Sequence, residues 1–177
     1  MTIDGEDELV GLRAAGRAVA EAREAMLAAV APGVTTGELD AIGRGVLAAH
    51  GAHPAPPTVG FPAATCVSVN DEAAHGIPSP FRALVAGDLV NVDVSAEVEG
   101  YWADTGASMA VGTVTPVARR LLDATRLANR DALAAAGAGR PLRNIGRAVE
   151  RRARRHGFSV VANLCGHSTG RDLWEPP

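Results

Sequence analysis

Residues 89–95 read Leu-Val-Asn-Val-Asp-Val-Ser, the cleanest period-two alternation in the chain. Successive side chains of a strand point to opposite faces, so this run puts Val90, Val92 and Val94 on one side and Asn91, Asp93 and Ser95 on the other. A predicted turn over Glu97–Gly100 sends the chain back as a second strand over Tyr101–Val111. A four-residue turn pairs Ala96 with Tyr101 and, counting outward, Asp93 with Asp104. Directly opposed residues share a face, with Cβ atoms about 4.5–5.5 Å apart. The fold must therefore accommodate two acidic side chains on one face of a valine-backed hairpin.

Two carboxylates so placed repel, and burial raises the cost. One shared proton, an intervening arginine, or one or two divalent cations would each relieve it. Oxygen ligands suit Mg, Mn, Fe, Co or Zn. A register shifted by one residue, or a solvated hairpin tip, would leave both groups without such a role.

The flanking sequence predicts helices packed on this hairpin. Leu9, Leu12, Val19, Ala22, Met26 and Val30 form one apolar stripe, predicting a helix over about 7–31 that Pro32-Gly33 ends. Thr35 and Glu38 have capping-box spacing for a second helix, closed by Gly51. A proline-rich loop over 53–62 leads to a short strand, Cys66–Val69. Thr115-Pro116 opens a helix to about Ala138. A further helix runs over about 142–156, and Phe158–Leu164 reads as a strand. Ile42-Gly43-Arg44-Gly45-Val46 recurs as Ile145-Gly146-Arg147-Ala148-Val149, each copy leading to a His-Gly pair, which is a weak internal repeat.

Other chemistry-bearing residues are fewer. Glycines flank His167 in Leu164-Cys165-Gly166-His167-Ser168-Thr169-Gly170, and tight backbone there can aim an imidazole into a cavity. His75, before Gly76, can donate to an oxyanion or hold a substrate, or simply be exposed. His50, His53 and His156 read as structural or solvated. The arginines between 147 and 155 read as a solvated helix face, and Cys66 and Cys165 as buried thiols. The net charge of −3 gives no global field favouring specific nucleic acid or an anionic membrane. The acidic first residues lack a signal-peptide pattern, and no apolar run approaches a membrane span, so a soluble, reduced, cytoplasmic protein is expected.

Taken together, Phe61 to Pro78, then Gly87 to Val94, Gly100 to Thr105 and Cys165-Gly166-His167 resemble, in order and spacing, the signature segments of type I methionine aminopeptidases. The resemblance implies the α+β pita-bread fold, here its N-terminal half plus the start of the second half. It implies a single domain over 1–177 whose second pseudo-repeat begins near residue 116. It also implies two divalent metal ions (Co, Mn, Fe, Zn or Ni) held by two Asp, one His and two Glu. By position, Asp93, Asp104 and His167 correspond to the two Asp and the His. His75 corresponds to the histidine contacting the scissile amide, and Phe61 and Cys66 to residues lining the methionine pocket. The implied reaction is removal of the N-terminal methionine from nascent polypeptides in the cytoplasm, with ribosome proximity, by a protein that is a monomer when full length.

The sequence departs from the family pattern in several places. Both glutamate ligands are expected downstream of Pro177, so the chain reads as a C-terminally truncated domain with impaired activity. Trp174 replaces a second histidine, Ser168 a glycine, and Thr58 an aromatic pocket residue. Trp cannot exchange a proton as His does. These departures leave a second reading, a non-catalytic relative that binds peptides or proteins.

Overall fold

The structure, a computed structural model, describes residues 4–175, so the outermost ends of the expected 1–177 domain lie outside the described residues. The chain divides into two compact units, one running to Val114 and including the segment from His167, the other spanning Thr115–Gly166.

The first unit begins with helices α1 (Glu6–Ala28) and α2 (Thr36–Ala49). Three acidic residues in its first turn complement the dipole of α1, and the Thr35–Glu38 capping box satisfies the start of α2 in both directions. The expected first helix is trimmed at its end: Val30 lies beyond α1. Strands β1 (His53–Pro54), β2 (Cys66–Val69), β3 (Leu89–Val98) and β4 (Tyr101–Ala110) form one antiparallel sheet. β3 is its centre. β4 pairs along its whole length, and β2 and then β1 pair along the other edge. The predicted proline-rich loop thus contains a short bridge, β1, and a 3-10 turn over Pro56–Val59.

Burial along β3 alternates as its sequence requires. Val90, Val92, Val94 and Ala96 are fully buried against Ala15, Ala18, Val19, Ala22 and Met26 of α1 and Leu39 and Leu47 of α2. Alanines on α1 bring the helix close to the sheet, so a core almost without aromatics still packs. The opposite sheet face is polar: Cys66 and Ser68 of β2 lie beside Asp93 and Asn91, and Asn91 donates to Ser108 Oγ at 2.9 Å.

The hairpin register differs from the expected one. Val98 pairs with Tyr101, leaving a two-residue turn at Glu99-Gly100, both at positive φ (51° and 82°). Positive φ at both turn residues matches the twist of the flanking strands. Asp104 consequently faces Ser95, and Asp93 faces Gly106. The slip is two residues, so both carboxylates keep their predicted face; a slip of one would have buried Asp104 among the valines.

The second unit contains α3 (Pro116–Ala135) and α4 (Arg143–Arg155), antiparallel-style neighbours joined by a short connection. Thr115 caps α3 by accepting from Ala118 N–H, with Pro116 at the first helical position. Arg152 holds α4 to α3 through two bonds to Asp131, at 2.7 and 3.1 Å. The strand expected over Phe158–Leu164 is absent. Its β-favouring residues have no hydrogen-bonded strand partner among the described residues, and propensity without pairing does not make a strand.

Candidate metal and peptide site

On its polar face the sheet forms the floor of a cavity of about 170 Å³. Its lining includes Phe61, Cys66, His75, Asp93, Asp104 and His167, the residues that the sequence singled out. Ser95, Pro56, Val59, Leu173 and Trp174 complete it. Strand pairing positions three of the polar groups: Cys66 opposite Asp93 from β2, and Asp104 one diagonal step away on β4. Residues 167–175 add His167 and Trp174 from the far end of the sequence.

Asp93 and Asp104 are diagonal neighbours on this face, both lining the cavity. Burial pushes the Asp93 carboxyl up to about 7, and the adjacent Asp104 charge pushes in the same direction; the His167 side chain opposes them. His167 Nε2 lies 3.3 Å from Asp104 Oδ2, while Nδ1 stands 3.2 Å from the backbone oxygen of Ser168. With Nδ1–H donating to that carbonyl, Nε2 is the nitrogen left facing the carboxylates. Cys66 is driven up to about 12, by burial first and then by the charges of Asp93, Asp104 and Asp40. A thiol held that firmly protonated is a lining group rather than a nucleophile. Cys165, expected to be buried, is exposed, because the segment carrying it has no strand to pack against.

His75 reaches the cavity through unusual backbone. It adopts φ 55°, in the left-handed region. Gly76, next in sequence, is clamped from both sides: its N–H donates to Ser68 Oγ at 3.0 Å, and its carbonyl accepts from Val67 N–H at 3.0 Å. A side chain at Gly76 would meet the Val67 backbone, so glycine is required there.

The segment bearing His167 is pinned by contacts that sequence reasoning missed. Trp102 N–H donates to Gly170 O at 2.8 Å, and buried Glu175 accepts from Arg171 N–H at 2.7 Å. The Arg171 guanidinium lies 4.1 Å from the centre of the Tyr101 ring and 2.7 Å from Glu8 Oε1. Local sequence offers no signal for a pair 163 positions apart. Trp174 stands edge-on to His167, with ring centres 6.4 Å apart, and Thr58 spends its hydroxyl on Ala55 O at 2.7 Å instead of lining the cavity.

A half-buried carboxylate pair that repels itself, with an imidazole nitrogen beside it, is a donor set that a divalent cation relieves. The chemistry fits. Among the described residues, however, no group of three or more His, Cys, Asp or Glu side chains is arranged to hold a metal ion. No described helix is long and apolar enough to cross a membrane.

Comparison with known proteins identifies the family. A model described as metallopeptidase family M24 matches residues 10–177. Methionine aminopeptidase 2 of Bacillus subtilis is 47% identical over 178 residues, covering 100% of this chain and 72% of that protein. A methionine aminopeptidase of Staphylococcus epidermidis is 43% identical, with 100% and 71% covered. Among solved structures, methionine aminopeptidase from Rickettsia prowazekii superposes with a TM-score of 0.94 at 34% identity, covering 100% of this chain and 71% of that one. Prolidase from Pyrococcus furiosus shares the fold at a TM-score of 0.83 and 19% identity, with 99% of this chain and 51% of that one covered.

Proposed function

The chain belongs to metallopeptidase family M24 and has its pita-bread α+β fold; on that footing we propose that it is a metal-dependent aminopeptidase releasing methionine from polypeptide N-termini, with Asp93, Asp104 and His167 as its share of the metal ligands. The observation that carries this reading is the convergence on one small cavity of two carboxylates, two imidazoles and an apolar wall.

Divalent cations held by Asp93, Asp104 and His167 would polarise the scissile carbonyl and make a nucleophilic water available at neutral pH; Co, Mn, Fe, Zn and Ni all suit the donors. The protein's own groups do the positioning. Phe61, Cys66, Val59 and Trp174 offer an apolar lining for the methionine side chain. A cavity of about 170 Å³ lies below the roughly 300 Å³ at which ligand pockets begin, so it admits one side chain rather than a peptide. The Asp93 carboxylate orients the free α-amine, which confines reaction to the first peptide bond. His75 donates a hydrogen bond to the scissile amide as charge develops on it.

In this reading residues 1–177 form one aminopeptidase domain whose second repeat opens near residue 116 and is incomplete, acting in the cytoplasm on nascent chains close to the ribosome, the full-length protein being a monomer. The chain spans 71–72% of the length of the methionine aminopeptidases it matches. A second reading, peptide binding without turnover, is favoured by Trp174, which lines the cavity but carries no transferable proton at neutral pH.

One experiment separates them. The Mn²⁺-loaded chain is incubated with Met-Ala-Ser and with its N-acetylated form, and free methionine and bound peptide are both measured. The aminopeptidase reading expects methionine from the free peptide alone, and none from an Asp93→Asn variant. Retained peptide with no methionine released supports the binding module instead.

A further inference from the structure

The whole-chain charge of −3 conceals a sharp division. Residues 115–166 carry eleven arginines against three carboxylates, whereas the remainder carries six against seventeen. The second unit is thus a strongly cationic body on an acidic chain. Its three carboxylates are each engaged by one arginine: Asp123 with Arg126, Asp131 with Arg152 and Glu150 with Arg154. Eight arginines are left without a carboxylate in ion-pair contact among the described residues.

Four of those eight are ordered along one helix. Arg143, Arg147, Arg151 and Arg155 recur every four residues of α4, which places them on one face at steps of about 6 Å. All four are exposed. Arg147, Arg151 and Arg155, with Arg154 and Glu150, line a cleft of about 390 Å³. Like charges held this close repel one another, so helix propensity alone gives no reason for the arrangement. A polyanion does: guanidinium groups are planar, always charged and match phosphate oxygens in pairs.

We propose that the arginine face of α4 binds the phosphate backbone of nucleic acid, without reading its sequence. An anionic lipid surface would need the same charges plus apolar side chains to enter the acyl boundary. α4 has none to spare. Ala148 is buried, Ile145 and Val149 are half-buried, and no large apolar side chain of Arg143–Arg155 is exposed. Glu150 is the acidic group within the cleft, and it opposes the anion.

Fluorescence anisotropy with a labelled RNA duplex and a DNA duplex of the same sequence tests this, repeated at several salt concentrations. About four neutralised phosphates give a slope of log K against log salt near −3 to −4. The double variant Arg147→Gln, Arg151→Gln is expected to lose at least tenfold in affinity and to flatten that slope by about 2, with an unchanged thermal melt. Glu150→Gln strengthens binding, and Arg17→Gln on α1 leaves it unaltered. Tighter binding of RNA than of DNA would identify the A-form backbone as the source; equal binding would identify the phosphate alone. Binding that the double variant retains in full, no binding at 50 mM salt, or capture only by phosphatidylserine vesicles overturns the proposal.

Discussion

Asp93 and Asp104 lie on one face of the hairpin, where the Asp104 charge acts on the Asp93 carboxyl, although their backbone positions stand two residues out of register. The diagonal relationship follows from the tight Glu99-Gly100 turn, and Gly106 opposite Asp93 leaves the carboxyl free to lean toward its neighbour.

That pair makes the metal-free protein sensitive to pH. The Asp93 carboxyl rises from its ordinary 3.8 to about 7 on folding, through burial and the Asp104 charge. The folded chain therefore holds the proton more tightly than the unfolded one, and stability falls as pH climbs from about 4 through about 7. Asp93→Asn keeps the shape and removes the cost. Thermal unfolding in chelator should show the variant several degrees above the parent at pH 8 and level with it near pH 4.

Gly76→Ala tests the clamp beneath His75. The new methyl would overlap the Val67 carbonyl and the Ser68 backbone, neither of which can rotate away. We expect a loss of about 1–3 kcal/mol, read from the urea midpoint.

The two thiols should separate cleanly. Cys165 is exposed, whereas Cys66 is buried and held up at about 12. A disulfide reagent at pH 8 should modify one thiol at once and the second only on unfolding. Rapid modification of both would show that the wall beside Asp93 is open.

Arg171→Ala removes both the ring contact with Tyr101 and the pair with Glu8. Both contacts are open to water, which screens them, so each adds little to stability. The melting temperature should move little, but metal affinity should fall several-fold as the His167 segment loosens. Arg171→Lys should recover only part of that affinity, since an ammonium keeps the charge without the flat stacking surface.

The site was more legible than the fold's details, for a physical reason. Face assignment along a strand depends only on parity, so any turn of even length puts Asp93 and Asp104 on one face. Register depends on the turn, and nothing in Glu97–Gly100 distinguishes a wide turn from a two-residue one until Glu99 is seen at positive φ. The capping box at Thr35 and the proline start at Pro116 were local, and local signals held. The strand expected at Phe158–Leu164 failed because strands exist only in pairs. The contacts of Arg171 with Tyr101 and Glu8 are long-range, and no periodicity encodes them. Summed charge averages a cationic unit against an acidic remainder.

The central claim is that Asp93, Asp104 and His167 form one divalent-cation site. Isothermal titration of the chain with Mn²⁺ or Co²⁺, beside Asp104→Ala and His167→Ala variants of unchanged fold, measures it directly. Weak binding that Asp104→Ala abolishes and His167→Ala reduces is the expected result. Binding heats that survive unaltered in both variants would contradict the account.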